Sequence, residues 1–256
     1  MDEGFKALQL KDRAIIITGA ASGIGRATAL LAASRGASIL VADIDGDGAA
    51  RTAKEIVDAG GKAVSNKTDI RAESDVEAMV AAAVDSFGRL DGALNNAGLQ
   101  GRYVPLTTMT LEHWQRMIDV NLTGTFLCMK HEIAYMLEHG GGTVVNIASG
   151  AGLVGVRGIP DYVASKHGVI GLTRGAAADY SAKGVRVNAV CPGAVDTPML
   201  QEAIRVSPPP SDSATRPMGR YGTADEIAEA AVWLLSPASS YTTGAAFAVD
   251  GGYTAV

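Results

Sequence analysis

Cysteine is scarce in this chain: Cys128 and Cys191 are the only two in 256 residues, and they stand in neither CxxC nor Cys/His spacing. Two isolated cysteines argue against a disulfide framework and a zinc site, so no metal is expected and a reducing compartment is. No apolar run approaches the ~18 residues that span a bilayer, which argues against a membrane partner. Lysine and arginine form no dense run and the formal charge is -5, so nucleic acid and anionic membranes are not expected partners. The first residues, Met1-Asp-Glu-Gly-Phe-Lys6, lack the apolar segment of a secretory signal, and a cytoplasmic location is the expectation. Linkers, low-complexity tracts and fixed-period repeats are missing too. With 47% apolar and 19% charged residues, the composition suits a single folded domain over 1–256.

What is present is an alternation of short apolar runs with helical stretches. Ala14-Ile-Ile-Ile-Thr18 is β-branched without alternation, as in a parallel strand buried on both faces. It runs into Thr18-Gly19-Ala-Ala-Ser22-Gly23-Ile24-Gly25, and a helix starts at Arg26. A strand, a glycine-rich turn and a helix together form a phosphate cradle, in which glycines let the backbone approach and the helix N-terminus offers free N–H groups. The spacing is GxxxGxG. Ala37 to Asp43 reads as a second buried strand ending in an acid, roughly 20 positions past the turn, where a carboxylate can accept from the adenosine ribose hydroxyls. Such a group repels a 2′-phosphate, and neither Ser22 nor Ile44 offers a cation, which favours NAD over NADP. The alternative duty of an N-cap for the next helix can also fall to Asp45 or Asp47.

A third strand near Ala63–Lys67 leads to Asp69-Ile70, where side chains can meet an adenine edge. A fourth ends in Asn95-Asn96-Ala97-Gly98, whose amides can lock loops or touch a cofactor. Leu111 to Glu138 reads as one long helix with Asn121 in its middle, a poor helix-interior residue that points to a kink or a function. A fifth strand carries Ser149 at its carboxyl end. The sixth runs into Pro192-Gly193-Ala-Val195-Asp-Thr197, whose backbone can bond a nicotinamide carboxamide. Residues 199–221, with Pro208-Pro-Pro210 and weak periodicity, read as a mobile substrate lid. A seventh strand, Ala245–Asp250, follows a last helix. Repeated strand–helix units demand right-handed crossovers, so the expected fold is α/β, a Rossmann-like doubly wound parallel sheet of about seven strands with helices on both faces.

Tyr162 and Lys166 lie four apart, so on a helix both side chains share a face one turn apart. A free phenol is a poor base at neutral pH, and an ammonium held against it is expected to pull its pKa down. A serine hydroxyl nearby, from Ser149, can hold a substrate oxygen while the proton moves.

With these pieces in order the chain resembles the classical short-chain dehydrogenase/reductase family over nearly its whole length. The family's TGxxxGxG turn falls on Thr18–Gly25, its NNAG segment on Asn95–Gly98 and its PG segment on Pro192-Gly193, and its catalytic set on Asn121, Ser149, Tyr162 and Lys166. The resemblance implies that Tyr162 exchanges the hydroxyl proton while hydride moves to or from the nicotinamide, and that Ser149 bonds the same oxygen. It implies that Lys166 lowers the tyrosine pKa and holds the nicotinamide ribose, and that Asn121 fixes a proton-relaying water. It also implies a homotetramer built partly through the two long helices, with 251–256 near a subunit contact.

The leading expectation is an NAD-dependent dehydrogenase of a small secondary alcohol, with cyclic and aromatic alcohols among the candidates. The rival is a 3-oxoacyl-carrier-protein reductase, which would favour NADPH and dock an acidic carrier, for which Lys130 and Arg174 are sparse provision. A non-catalytic cofactor sensor is a more distant third, since such proteins have typically lost the tyrosine or the lysine.

Overall fold

The computed structural model describes residues 10–206 and 217–255. Among them seven strands form one sheet: β1 (Ala14–Thr18), β2 (Ser38–Asp43), β3 (Lys62–Lys67), β4 (Gly92–Asn95), β5 (Gly142–Ile147), β6 (Val185–Pro192) and β7 (Ala246–Val249). Every pairing is parallel and the order is β3-β2-β1-β4-β5-β6-β7. The chain winds outward from β1 to β3, then returns to start again at β4. The connections leaving β1 and β4 therefore diverge, and a crevice opens at the strands' carboxyl ends.

The unalternating strands are explained by two covered faces. Ile15, Ile17, Ile39 and Val41 pack with α1 (Gly23–Ser34), α2 (Gly46–Asp58) and α8 (Ala224–Leu235). Ile16 and Leu40 point the other way, onto α3 (Glu73–Phe87), α5 (Thr125–Glu138) and α6 (Pro160–Tyr180). Each fully buried isoleucine or leucine contributes about 1.5–3 kcal/mol of transfer free energy, so the sheet is held from both sides. Helix ends follow local chemistry. Asp45 caps α2 by accepting from the Gly48 N–H at 3.0 Å, Gly88 ends α3 at φ 74°, and Thr223 with Glu226 forms a capping box on α8.

Two segments depart from the sequence reading. The expected helix 111–138 is α4 (Leu111–Ile118), a π-helical turn (Asp119–Gly124) and then α5. The Thr125 hydroxyl donates to the Asn121 carbonyl at 2.9 Å, and a widened turn of this kind places one residue's side chain out of the regular helical sequence. The start of the expected lid is ordered: α7 spans Pro198–Val206. Residues 207–216, with Pro208-Pro-Pro210, lie outside the described residues. Among those described, no helix is long and apolar enough to cross a membrane.

Candidate active site

At the β1–α1 junction the backbone is packed to a degree only glycine tolerates. Gly19 has φ +64°, and a Cβ there would stand 2.8 Å from the Ala97 Cα; one on Gly25 would strike the Gly19 carbonyl oxygen. Ser22 precedes α1 without a side-chain capping bond, so the first-turn N–H groups are left for a ligand. The junction is tied to β4 by Thr18, whose Oγ1 accepts from the N–H groups of Asn96 (3.0 Å) and Ala97 (3.1 Å). In return the Asn96 side-chain amide donates to the Thr18 and Gly19 carbonyls, each at 3.0 Å. Asp43 is held too: its carboxylate accepts from the Ala21 and Asp45 N–H groups, both at 2.9 Å. Asp45 caps α2, so the alternative capping duty is not the one Asp43 serves.

A cleft of about 950 Å³ runs along these strand ends. Asp43, Ile44, Asp69, Ile70 and Arg71 line it at the β2–β3 side, then Gly19, Ser22, Gly23, Ile24, Ala97 and Gly98 in the middle. Ser149, Tyr162 and Lys166 line it beyond, with Pro192, Gly193, Val195 and Thr197 alongside. An elongated cleft that combines an uncapped helix N-terminus with an anchored carboxylate at one end fits a dinucleotide. Diphosphate would lie against the Ser22–Ile24 backbone and a ribose beside Asp43.

At the other end stands the reactive cluster. Ser149 lies two residues past β5 in extended conformation (φ -172°, ψ 159°); its hydroxyl accepts from the Ala151 N–H at 3.1 Å and is hydrogen-bonded to the Tyr162 phenol. Tyr162 and Lys166 occupy successive turns of α6, begun by Pro160 at its first position. The buried Lys166 Nζ donates to the Ile147 carbonyl at 2.8 Å and lies 5.7 Å from the centre of the Tyr162 ring. Burial lowers the Lys166 pKa to about 8. Burial also pushes the Tyr162 phenol up, against the opposing hydrogen bond from Ser149. The expectation that lysine pulls the phenol's pKa down is thereby corrected. The ammonium is directed at a backbone carbonyl, and desolvation dominates the phenol.

Asn121 is fully buried in the π turn and does not line the cleft. Its Oδ1 accepts from the Leu99 N–H at 2.7 Å and its Nδ2 donates to the Leu99 carbonyl at 3.0 Å. A Cβ on Gly98 would meet Asn121 Oδ1 at 3.1 Å and Lys166 Nζ at 3.8 Å, so amide and ammonium converge behind one glycine. Gly25 packs under the glycine turn and does not line the cleft. Asn95 requires a correction, for it points into the core, where its amide donates to Glu132 and to Asn146 Oδ1, both at 3.0 Å. The neighbouring Asn96 is the one that lines the cleft. An Asn-Asn pair at a strand end signals both, but which of them faces in depends on where the strand stops.

Three further groups carry no sequence signal of their own. Glu132 is fully buried beside Asn95, and desolvation raises its pKa to about 7. Asp161, also fully buried and adjacent to Tyr162, meets His113 Nε2 of α4 at 3.1 Å. Tyr253, near the C-terminus, lines the cleft.

A dinucleotide-shaped cleft ending on serine, tyrosine and lysine defines a nicotinamide-dependent oxidoreductase of CH–OH groups. Residues 19–254 match the family described as enoyl-(acyl carrier protein) reductase. The chain is 48% identical over 250 residues to 2,5-dichloro-2,5-cyclohexadiene-1,4-diol dehydrogenase of Sphingobium indicum, covering 96% of this chain and 99% of that one. It is 43% identical over 249 residues to cyclohexanol dehydrogenase of an Acinetobacter species, covering 96% of each. The crystal structure of levodione reductase superposes with a TM-score of 0.92 at 36% identity, over 97% of this chain and 100% of that one. The chain belongs to the short-chain dehydrogenase/reductase family, whose dehydrogenases use NAD(P).

Proposed function

We propose that the protein is an NAD-preferring dehydrogenase that interconverts a cyclic secondary alcohol and its ketone. The observation that carries this is the convergence of Ser149, Tyr162 and Lys166 at one end of the cleft. Nicotinamide, when bound, supplies the hydride acceptor for oxidation and the donor for reduction. The Tyr162 oxygen takes the alcohol's hydroxyl proton as the carbinol C–H bond breaks and the C=O bond forms; in reduction the phenol returns it. Ser149 donates to the substrate oxygen and stabilises the charge that develops there. Lys166 holds positive charge behind the phenol and passes the proton onward beside Asn121.

The ring preference is supported by relatives named for a cyclohexadienediol and for cyclohexanol, and by an apolar lining at this end that includes Val156, Ile159, Met199, Leu200 and Ile204. The preference for NAD is supported by Asp43, held by two N–H groups, and by the lack of a cation at Ser22 and Ile44. Arg71 also lines the cleft, but its guanidinium is engaged by Asp69. The same reading takes the chain as one catalytic domain that works in the cytoplasm as a homotetramer. Support for assembly comes from an apolar groove between the π turn and α6, with Leu122, Phe126 and Leu172, where Phe126 is 46% exposed.

Tyr162→Phe keeps the ring and removes the proton acceptor. Its rate with ring alcohols is expected to fall by about 10²–10⁴-fold while NADH binding, followed by cofactor fluorescence, is kept. A variant with near-normal turnover would contradict the assignment.

A further inference from the structure

We propose that Tyr253 is the specificity wall of the substrate pocket, held in place by a turn that Asp250 organises. The inference rests on the reading above that ring alcohols enter the Ser149–Tyr162 end.

Residues 250–254 are tied down at several points. One Asp250 carboxylate oxygen accepts from the Gly252 N–H at 2.9 Å; the other accepts from the Thr254 N–H at 3.0 Å and from its hydroxyl at 2.6 Å. Burial pushes the Asp250 carboxyl up, but the bonds from Thr254 and Gly252 outweigh it and hold the group below its ordinary pKa, so it stays ionised as an acceptor. The turn has two neighbours, of which Gly193 lines the cleft. The Gly193 N–H donates to the Val249 carbonyl at 3.1 Å, and a Cβ on Gly193 would stand 2.8 Å from the Asp250 Cα. Gly251 and Gly252, at φ 63° and 86°, seat the returning chain: the Met218 N–H donates to the Gly251 carbonyl at 3.1 Å, and a Cβ on Gly252 would meet Pro217 at 3.1 Å.

This turn delivers the Tyr253 ring to the backbone beside the reactive serine. A Cβ on Gly150, the residue after Ser149, would meet Tyr253 Cδ1 at 3.2 Å, so the ring lies against a position that carries no side chain. Tyr253 lines the same cleft as Ser149 and Tyr162. A rigid aromatic face there limits how large a group can flank the carbinol carbon. In an apolar pocket, one methylene of misfit changes selectivity about 10- to 200-fold. The contact of the Tyr253 ring is with Gly150, beside Ser149 rather than at the phosphate cradle or Asp43, so its expected effect falls on substrate size.

The test compares wild type, Tyr253→Phe and Tyr253→Ala on a small and a bulky member of each of two classes: cyclohexanol with 4-tert-butylcyclohexanol, and 2-butanol with 4-phenyl-2-butanol. The ratio of kcat/KM for bulky over small substrate is the readout, with thermal midpoint and NADH affinity measured beside it. Tyr253→Ala is expected to raise that ratio about tenfold or more in the class the enzyme accepts, with NADH affinity unchanged. Tyr253→Phe keeps the ring and is expected to keep the wild-type ratio. A folded, NADH-binding Tyr253→Ala enzyme with the wild-type ratio would overturn the wall. Which class wild type accepts is a separate outcome: activity confined to the linear pair would overturn the ring-alcohol reading, while the size ratio within that pair would still decide the role of Tyr253.

Discussion

Three side chains show how far position in the fold governs chemistry that residue type leaves open. Tyr162 and Lys166 are legible in the sequence because four-residue spacing on a helix needs no tertiary information. Their electrostatics is not legible, because it depends on desolvation. Burial pushes the phenol up and the ammonium down to about 8, which opposes the simple picture of a lysine lowering a neighbouring tyrosine. Glu132 is the converse case, a plain helix residue in the sequence and a fully buried carboxyl in the fold. Desolvation raises its pKa from 4.5 to about 7, with the bond from Asn95 opposing. A carboxyl whose folded pKa lies above its unfolded one contributes stability that is complete below about 4.5 and is lost as pH rises through about 7. The loss amounts to about 3 kcal/mol at most. Glu132→Gln removes the titration, so the stability of wild type relative to this variant is expected to fall between about pH 4.5 and pH 7. Urea unfolding at several pH values reads this directly, and parallel stability curves for the two proteins would contradict it.

At the level of elements, function sits where regular structure stops. The β1–α1 turn, the ends of β2 and β4 and the two residues after β5 place groups at the cleft, and the π turn buries Asn121 behind Gly98. Repeated apolar runs made the sheet legible, and Gly19, Gly23 and Gly25 marked the cradle because their spacing reports backbone closeness. Side-chain direction at strand ends was less so: Asn95 faces inward and Asn96 outward because β4 ends between them. The π turn was legible only as an anomaly, an asparagine in mid-helix. Helix α7 escaped because its neighbours in sequence, Pro208-Pro-Pro210, dilute the periodicity. The proposed cofactor preference belongs to this scale, since Asp43 stands where β2 leads into α2. Asp43→Ala combined with Ile44→Arg is expected to move the NAD/NADP ratio of kcat/KM toward NADP by about tenfold or more, a charge-assisted contact being gained and a repulsion lost. Unchanged selectivity would show that Asp43 only braces the Ala21 turn.

For the molecule as a whole, the doubly wound order explains why distant segments meet. Thr18, Asp43, Asn96, Ser149 and Gly193 all lie at carboxyl ends of parallel strands, so a sheet with one sense of direction gathers them on a single rim. The parts written outside the repeating units, α7 and the turn that carries Tyr253, add a further side of the cleft. Their placement depends on contacts far apart in sequence, and for that reason it could not be anticipated from pattern. The most direct measurement of the central claim is the initial rate of NAD reduction with cyclohexanol, run beside NADP with cyclohexanol and NADPH with an acetoacetyl thioester. Turnover of the ring alcohol with NAD, at a higher kcat/KM than with NADP, is the expected result. Activity confined to NADPH and the thioester would contradict it and make the enzyme a reductase of acyl chains.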